Sequence, residues 1–152
     1  MKAYIQGDWI ATKIIEGDVD AKATYRAKLE ILKNIGIENV ATWHDQAVGI
    51  HNQKKAPDTN VLRNTSEIAQ ADCVITMVEQ LNPEYKHWGS LTLMGYAIGL
   101  GKPCYVVSSL DNCIRRSHFS FHPLIKHFET LEQLCEFAKS DIVTDFIDKS
   151  SN

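Results

Sequence analysis

Hydrophobic residues in this chain fall into short runs separated by stretches with three- and four-residue periodicity. The first run, residues 3–6 (AYIQ), predicts a strand ended by Gly7 and Asp8, with a loop expected from Trp9 to Gly17. Asp18 or Asp20 can cap a helix to about Ile35, because Tyr25, Leu29, Leu32 and Ile35 recur at helical steps, and Gly36 stops it. Residues 39–43 predict a short second strand that runs into Trp43, His44, Asp45 and Gln46. Residues 46–57 carry Gly, Asn and Pro without a period and read as a loop, of a length that usually serves function or movement.

Thr59 is expected to cap a helix through about Ala71, with Val61, Leu62, Thr65, Ile68 and Ala69 turned inward. Residues 72–78 (DCVITMV) form a near-continuous apolar run, the pattern of a strand buried on both faces. A polar loop at 79–86 leads to a helix over residues 89–101 that opens at Gly89 and Ser90 and is closed by Gly101. Another buried strand follows at 104–107 (CYVV). Residues 108–123 read as a loop rich in Ser, His and Arg. One or two helices then close the chain, with Leu131, Leu134, Cys135 and Ala138, then Ile142, Val143 and Phe146, on their apolar sides. Strand–helix alternation with right-handed crossovers predicts an α/β doubly wound parallel sheet in one domain spanning residues 1–152.

Composition narrows the function classes. The chain has 152 residues, 44% of them apolar, enough for a full core. A net charge of −3 gives no electrostatic footprint for nucleic acid or an anionic membrane. No apolar run reaches the roughly 18 residues of a membrane span, and residues 1–6 are too short and strand-like for a signal peptide. Cys73, Cys104, Cys113 and Cys135 lack CxxC spacing, which predicts reduced thiols in a cytoplasmic protein with no structural zinc. No cofactor motif is present: neither GxGxxG nor GxxxxGK[ST] occurs.

Ligands of doubly wound sheets sit beyond the carboxyl ends of the strands. Gln6, Gly7, Asp8 and Trp9 follow the first strand; Trp43, His44 and Asp45 follow the second. Residues 79–90, with Glu79, Glu84, His87, Trp88, Gly89 and Ser90, follow the third, and Ser108, Ser109 and Asp111 the fourth. The Trp and His side chains can stack on and hydrogen-bond a flat heterocycle, or Trp43 and Trp88 can plug the core. Gly89 and Ser90 can cradle an anion, or Ser90 can cap the helix. A Ser nucleophile is not expected, because GSLTLMG departs from the G-x-S-x-G elbow.

Three segments carry a family resemblance. Ala3-Tyr4-Ile5-Gln6-Gly7 resembles the K-x-Y-x-A/C-G opening of the nucleoside 2-deoxyribosyltransferases and related deoxynucleotide N-hydrolases. Residues 63–75 (RNTSEIAQADCVI) resemble their R-x-D-x-x-x-I-x-x-A-D segment, and residues 89–107 their G-x-x-x-E-x-G-Y-A-x-x-x-G-K-P segment. The resemblance implies a flavodoxin-like, five-stranded, three-layer α/β/α fold. It also implies homo-oligomers with sites at subunit interfaces, and cleavage of an N-glycosidic bond through a covalent glycosyl-glutamate. Tyr4 then matches the Tyr near sugar and base, and Gly7 the turn beside the ligand. Leu93 stands at the position of the nucleophilic Glu, Asn64 at that of the helix Asp, and His87 at a loop Asp or Ser. Asp8 stands where the nucleotide hydrolases place a phosphate-binding Ser. Arg115, Arg116 and His122 lie where relatives reach into a neighbour's pocket, or form a solvated basic loop.

Leu has no lone pair to form the glycosyl ester, a loss on the order of 5 kcal/mol or more of barrier. Asn64 cannot exchange a proton as an acid would. The expectation is a binder of a nucleoside or nucleotide derivative whose covalent chemistry is lost. The alternatives are a transferase or N-glycosidase working through Asp8, Asp45, Glu79 or Glu84, and a structural subunit of a hetero-oligomer. Engineering to trap a ligand would suit Asn64 and not Leu93.

Overall fold

The structure, a computed structural model, describes residues 1–44, 57–78, 87–116 and 118–150. In chain order it contains β1 (Lys2–Gln6), α1 (Asp8–Ile15), α2 (Val19–Asn34), β2 (Glu38–Asn39), α3 (Pro57–Gln70), β3 (Cys73–Met77), α4 (Trp88–Gly99) and β4 (Cys104–Val107). Two 3-10 turns (Cys113–Arg116 and His118–Phe121), β5 (Ile125–Phe128) and α5 (Leu131–Ser150) complete it. The five strands form one parallel sheet in the order β2-β1-β3-β4-β5, the flavodoxin-like order.

Period-two alternation divides the core into two layers. Ala3 and Ile5 of β1, and Cys73, Ile75 and Met77 of β3, face one cluster with Ile10, Tyr25, Leu32 and Leu134. Tyr4, Val74, Cys104 and Val106 face the other, against Ile68, Met94 and Ala97. Every residue of β3 is buried because both of its faces are covered, which is why it reads as an unbroken apolar run.

The carboxyl ends of three helices share one device. After α1, α2 and α4, a glycine with positive φ (Gly17, Gly36, Gly101) donates its N–H to the carbonyl two residues before the cap, and the next N–H reaches one residue further back. This is the Schellman closure, which glycine favours because a Cβ penalises the left-handed conformation. Asp18 caps α2 by accepting from the Ala21 N–H at 2.9 Å.

Several sequence expectations are corrected. The loop expected over residues 9–17 is mostly α1; Ile10 and Ile14 pack into the core one helical turn apart. The second strand is only Glu38–Asn39, where five residues from 39 were expected. Asn39 ends it: its Oδ1 accepts from the Ile5 N–H at 3.3 Å and the Ala41 N–H at 3.0 Å, replacing the next ladder bonds. Pro57 belongs to α3, not to the preceding loop, and Thr59 lies inside that helix. Of its expected inner face only Ile68 is fully buried, and Val61, Leu62 and Ala69 are exposed. Ser90 is inside α4 and buried, so the residue at the cap is His87. The 108–123 stretch contains two 3-10 turns, and β5 follows at an edge where Lys126 and His127 break the apolar pattern. A single helix closes the described chain; Ile142, Val143 and Phe146 have side chains outside the described set. None of the four cysteines, all of them described, is in a disulfide. Among the described residues no helix is long and apolar enough to cross a membrane.

Candidate functional site

The strand order reverses between β1 and β3, and their carboxyl ends meet the start of α4. Gly7 ends β1 so close to its neighbour that an added Cβ would lie 2.4 Å from the Met77 carbonyl oxygen. The glycine is therefore required by strand-to-strand packing, whatever approaches from outside. Its φ of −179° is ordinary extended backbone, so the constraint is steric.

One side chain ties the junction together. Gln6 is 4% exposed, and its Nε2 donates to Thr76 Oγ1 of β3 at 2.9 Å and to the Ser90 carbonyl of α4 at 3.0 Å. Both N–H groups are thus used, and the Oε1 orientation follows: a flipped amide would set oxygen against the Ser90 carbonyl. Gln6 Oε1 is buried and accepts no hydrogen bond among the described residues. Thr76, hidden in the apolar run of β3, and the Gln6 amide are parts of this junction that hydrophobic patterning does not single out.

His87 opens α4 in the left-handed region (φ 50°) and is buried; its side chain makes no cap hydrogen bond to this helix. Backbone strain at a non-glycine residue concentrates at functional positions. Trp88 is 75% exposed and so is not a core plug, while Gly89 lies within the helix. Leu93, in the second turn, is half-buried and packs against the cluster that contains Met94, Ala97 and Val106. Tyr4 is fully buried in that same cluster. Asn64 is half-buried on α3, and Arg63 donates to its Oδ1 from Nη2 at 3.1 Å.

The aromatic residues divide into two places. Trp43 Nε1 and the Tyr25 hydroxyl both donate to the Ile5 carbonyl, at 3.0 and 3.1 Å. Tyr25 and Trp43 have ring centroids 4.9 Å apart, and His44 stacks edge-on to both. Trp43 and His44 thus form a plug beside β1, with Trp43 packing against both core clusters, whereas Trp88 stands in solvent.

Asp8 and Trp9 begin α1 directly after Gly7; only their backbone is described. Asp45, Glu79 and Glu84 lie outside the described residues. Arg115 is engaged within its own chain, donating to Ser108 Oγ and to the Ser108 and Phe128 carbonyls at 2.7–2.9 Å. Those bonds hold the guanidinium against the carboxyl ends of β4 and β5. Arg116 donates to the Asp111 carbonyl at 3.3 Å, and His122 Nδ1 accepts from the Leu124 N–H. Burial pushes the Cys73 and Cys104 thiols up to about 12, with Asp72 adding to the effect at Cys73; neither is a thiolate nucleophile at neutral pH.

Cavities among the described residues lie elsewhere. One of about 360 Å³ lies between α4 and the second 3-10 turn, lined by Leu91, Met94, Gly95, Ile98, Ser120 and Ile125. The other, about 570 Å³, runs along the β2 edge past Leu29, Lys33, Asn39, Thr42 and His44. Neither opens at the β1/β3 junction.

Residues 9–120 match the family model described as nucleoside 2-deoxyribosyltransferase. The chain belongs to that family. No curated protein matches it. The match spans α1 through the second 3-10 turn, and so takes in α3, β3, α4 and β4 while leaving β1, with Tyr4 and Gly7, outside it. Within a 2-deoxyribosyltransferase-family fold, the β1/β3 junction is the place where Gly7, Gln6 and the opening turn of α4 converge.

Proposed function

We propose that this chain binds a nucleoside or nucleoside derivative at the β1/β3 junction and has lost the family's covalent N-glycosidic chemistry. The observation that carries the reading is Leu93. It occupies the position that resemblance gives to the nucleophilic Glu, and its side chain packs with an apolar cluster. An alkyl group there can shape a pocket but cannot attack an anomeric carbon. Asn64, at the position of the family Asp, supports the same reading, since an amide is neither acid nor base near neutral pH. A carboxylate at Asp8, where nucleotide hydrolases hold a phosphate-binding Ser, favours a ligand without a 5′-phosphate.

Calorimetry against a panel of nucleosides and their 5′-monophosphates tests the binding. A saturable heat with a nucleoside, weaker or absent with its monophosphate, is expected; no heat with any member of the panel would leave a purely structural subunit. Incubation with deoxyinosine and free adenine, followed by chromatography, tests the chemistry. Free hypoxanthine above the buffer control would mean that another carboxylate has taken over catalysis. The double substitution Leu93→Glu with Asn64→Asp is expected to generate measurable glycosidase activity. A doubly substituted protein that folds, binds nucleoside and stays inert would overturn the assignment of Leu93 to the nucleophile position.

A further inference from the structure

We infer that Gln6 gives this site a preference for ribose: its buried Oε1 accepts a hydrogen bond from the 2′-hydroxyl of a bound ribonucleoside. The inference rests on the proposal that the β1/β3 junction binds a nucleoside, and adds which sugar it takes.

The first ground is an acceptor without a donor. Both N–H groups of the Gln6 amide are used, at 2.9 Å from Thr76 Oγ1 and 3.0 Å from the Ser90 carbonyl. Oε1 is buried, and no donor among the described residues meets it. A buried acceptor left unpaired costs roughly a tenfold to hundredfold factor in an equilibrium constant, and native chains keep few of them. The amide cannot turn over to relieve it, because its oxygen would then face the Ser90 carbonyl. What completes this group is a donor; a ligand atom that only accepts has nothing to offer it.

The second ground is where the amide sits. Gln6 and Tyr4 are two residues apart on β1 and so share a face of the sheet. Leu93 packs against the cluster on that same face, the one that contains Tyr4. In a regular helix the carbonyl of residue 90 points at the N–H of residue 94, so Gln6 meets α4 at the level of Leu93 and Met94. Ser90 and Leu93 are also neighbours on one side of the helix, a single turn apart.

The third ground is stereochemical. Leu93 stands at the position of a group that attacks the anomeric carbon, and such attack enters from the ring face opposite the base. A side chain beside Leu93 therefore meets that face of the sugar. A ribonucleoside projects its 2′-hydroxyl from this face, on the carbon next to the anomeric one. The N–H groups of the base lie on the far side, and a 2′-deoxynucleoside has only hydrogen at the 2′ carbon. The K-x-Y-x-A/C-G pattern has a small residue where this chain has Gln6. A methyl group there offers a 2′-hydroxyl no acceptor, in keeping with the 2-deoxyribosyl group in the family description. A site built to hydrogen-bond a hydroxyl rejects the analogue that lacks it, because its own buried group is then left unpaired.

Calorimetry on the full chain compares adenosine, inosine and uridine with their 2′-deoxy counterparts. In each pair that binds, the riboside should bind at least about tenfold tighter. The 2′-fluoro-2′-deoxy analogue has a polar atom at the 2′ carbon but nothing to donate, and should bind like the deoxynucleoside. The 3′-deoxy analogue keeps the 2′-hydroxyl and should lose less affinity than the 2′-deoxy one. Gln6→Ala should bring each pair to within about twofold of parity, the outcome of a double-mutant cycle that removes both partners. Gln6→Met fills the space without an amide and should do the same, which separates the lost acceptor from a void. If neither variant folds, the side-chain carbonyl ¹³C resonance of Gln6 in the wild-type chain decides. It should move downfield with adenosine and stay in place with the 2′-fluoro analogue; the same response to both would sink the assignment. Deoxynucleosides that bind as tightly as ribosides, or a preference that survives both substitutions, would overturn the inference and leave nucleoside binding standing. No heat with any nucleoside would overturn both.

Discussion

Gln6 and Gly7 are adjacent, yet they constrain the junction by opposite means. Gln6 adds a buried amide that joins β1 to β3 and to α4 through Thr76 and Ser90. Gly7 contributes by what it lacks, since a methyl group would meet the Met77 carbonyl at 2.4 Å. Backbone cannot rotate away as a side chain would, so Gly7→Ala must separate the strand ends. A destabilisation of about 1–3 kcal/mol is expected, typical of overpacking, and urea denaturation would measure it. An alanine variant as stable as the wild type would show that the two strand ends part easily. Resemblance singled out Gly7 as a place of close approach, but the neighbour it accommodates is a strand of its own sheet. Gln6 stood at a strand end in the sequence. Its role depends on a threonine seventy positions away, and no local pattern contains that.

At the scale of elements, legibility followed periodicity and punctuation. The α2 helix was readable because its apolar stripe is long and Asp18 and Gly36 mark its ends. β3 was readable because burial on both faces leaves no polar interruption. α1 was not, being eight residues long with three isoleucines and a threonine, a composition that reads poorly as helix although Ile10 and Ile14 bury well. β5 was hidden by Lys126 and His127, which an edge strand tolerates. The outward turn of Val61 and Leu62 could not be foreseen either, because an apolar residue on a helix gives no sign of which side faces the sheet. Where the closing glycine does not touch a neighbour, conformation alone sets its cost. Gly101→Ala, at φ +73° with open space around it, should lose about 1 kcal/mol through the left-handed conformation, measurable as a lower denaturant midpoint at unchanged slope. An unchanged midpoint would mean that the last turn of α4 adds little to global stability.

Across the whole molecule, the sheet order and two-layer core agree with the fold that resemblance implied, and the family match covers the centre of that fold. The candidate site was less legible, because the β1/β3 junction is assembled from strands far apart in the chain. Stability should also depend on pH through β5. His127 donates from Nε2 to the Ser120 carbonyl at 3.1 Å, and burial holds its pKa below the ordinary 6.5, with Arg115 lowering it further against the opposing hydrogen bond. The unfolded chain therefore binds this proton more readily than the folded chain. The contribution is present above pH 6.5 and is lost as pH falls through the lowered folded value. His127→Gln should flatten that part of the stability profile relative to wild type, as thermal melts at a series of mildly acidic pH values would show. Parallel profiles for the two proteins would remove His127 from the account.

The double claim on the Ile5 carbonyl has a practical side. Because Trp43 hangs by its indole N–H from the penultimate residue of β1, with His44 edge-on to its ring, the strand end carries a built-in fluorophore. Trp88, standing in solvent, emits at the red edge and is easily quenched by added iodide, and comparison with a Trp43→Phe variant isolates the Trp43 signal. A shift of the strand end by a few tenths of an ångström alters that indole's hydrogen bond and with it the blue part of the emission, so events at the junction can be followed without any label.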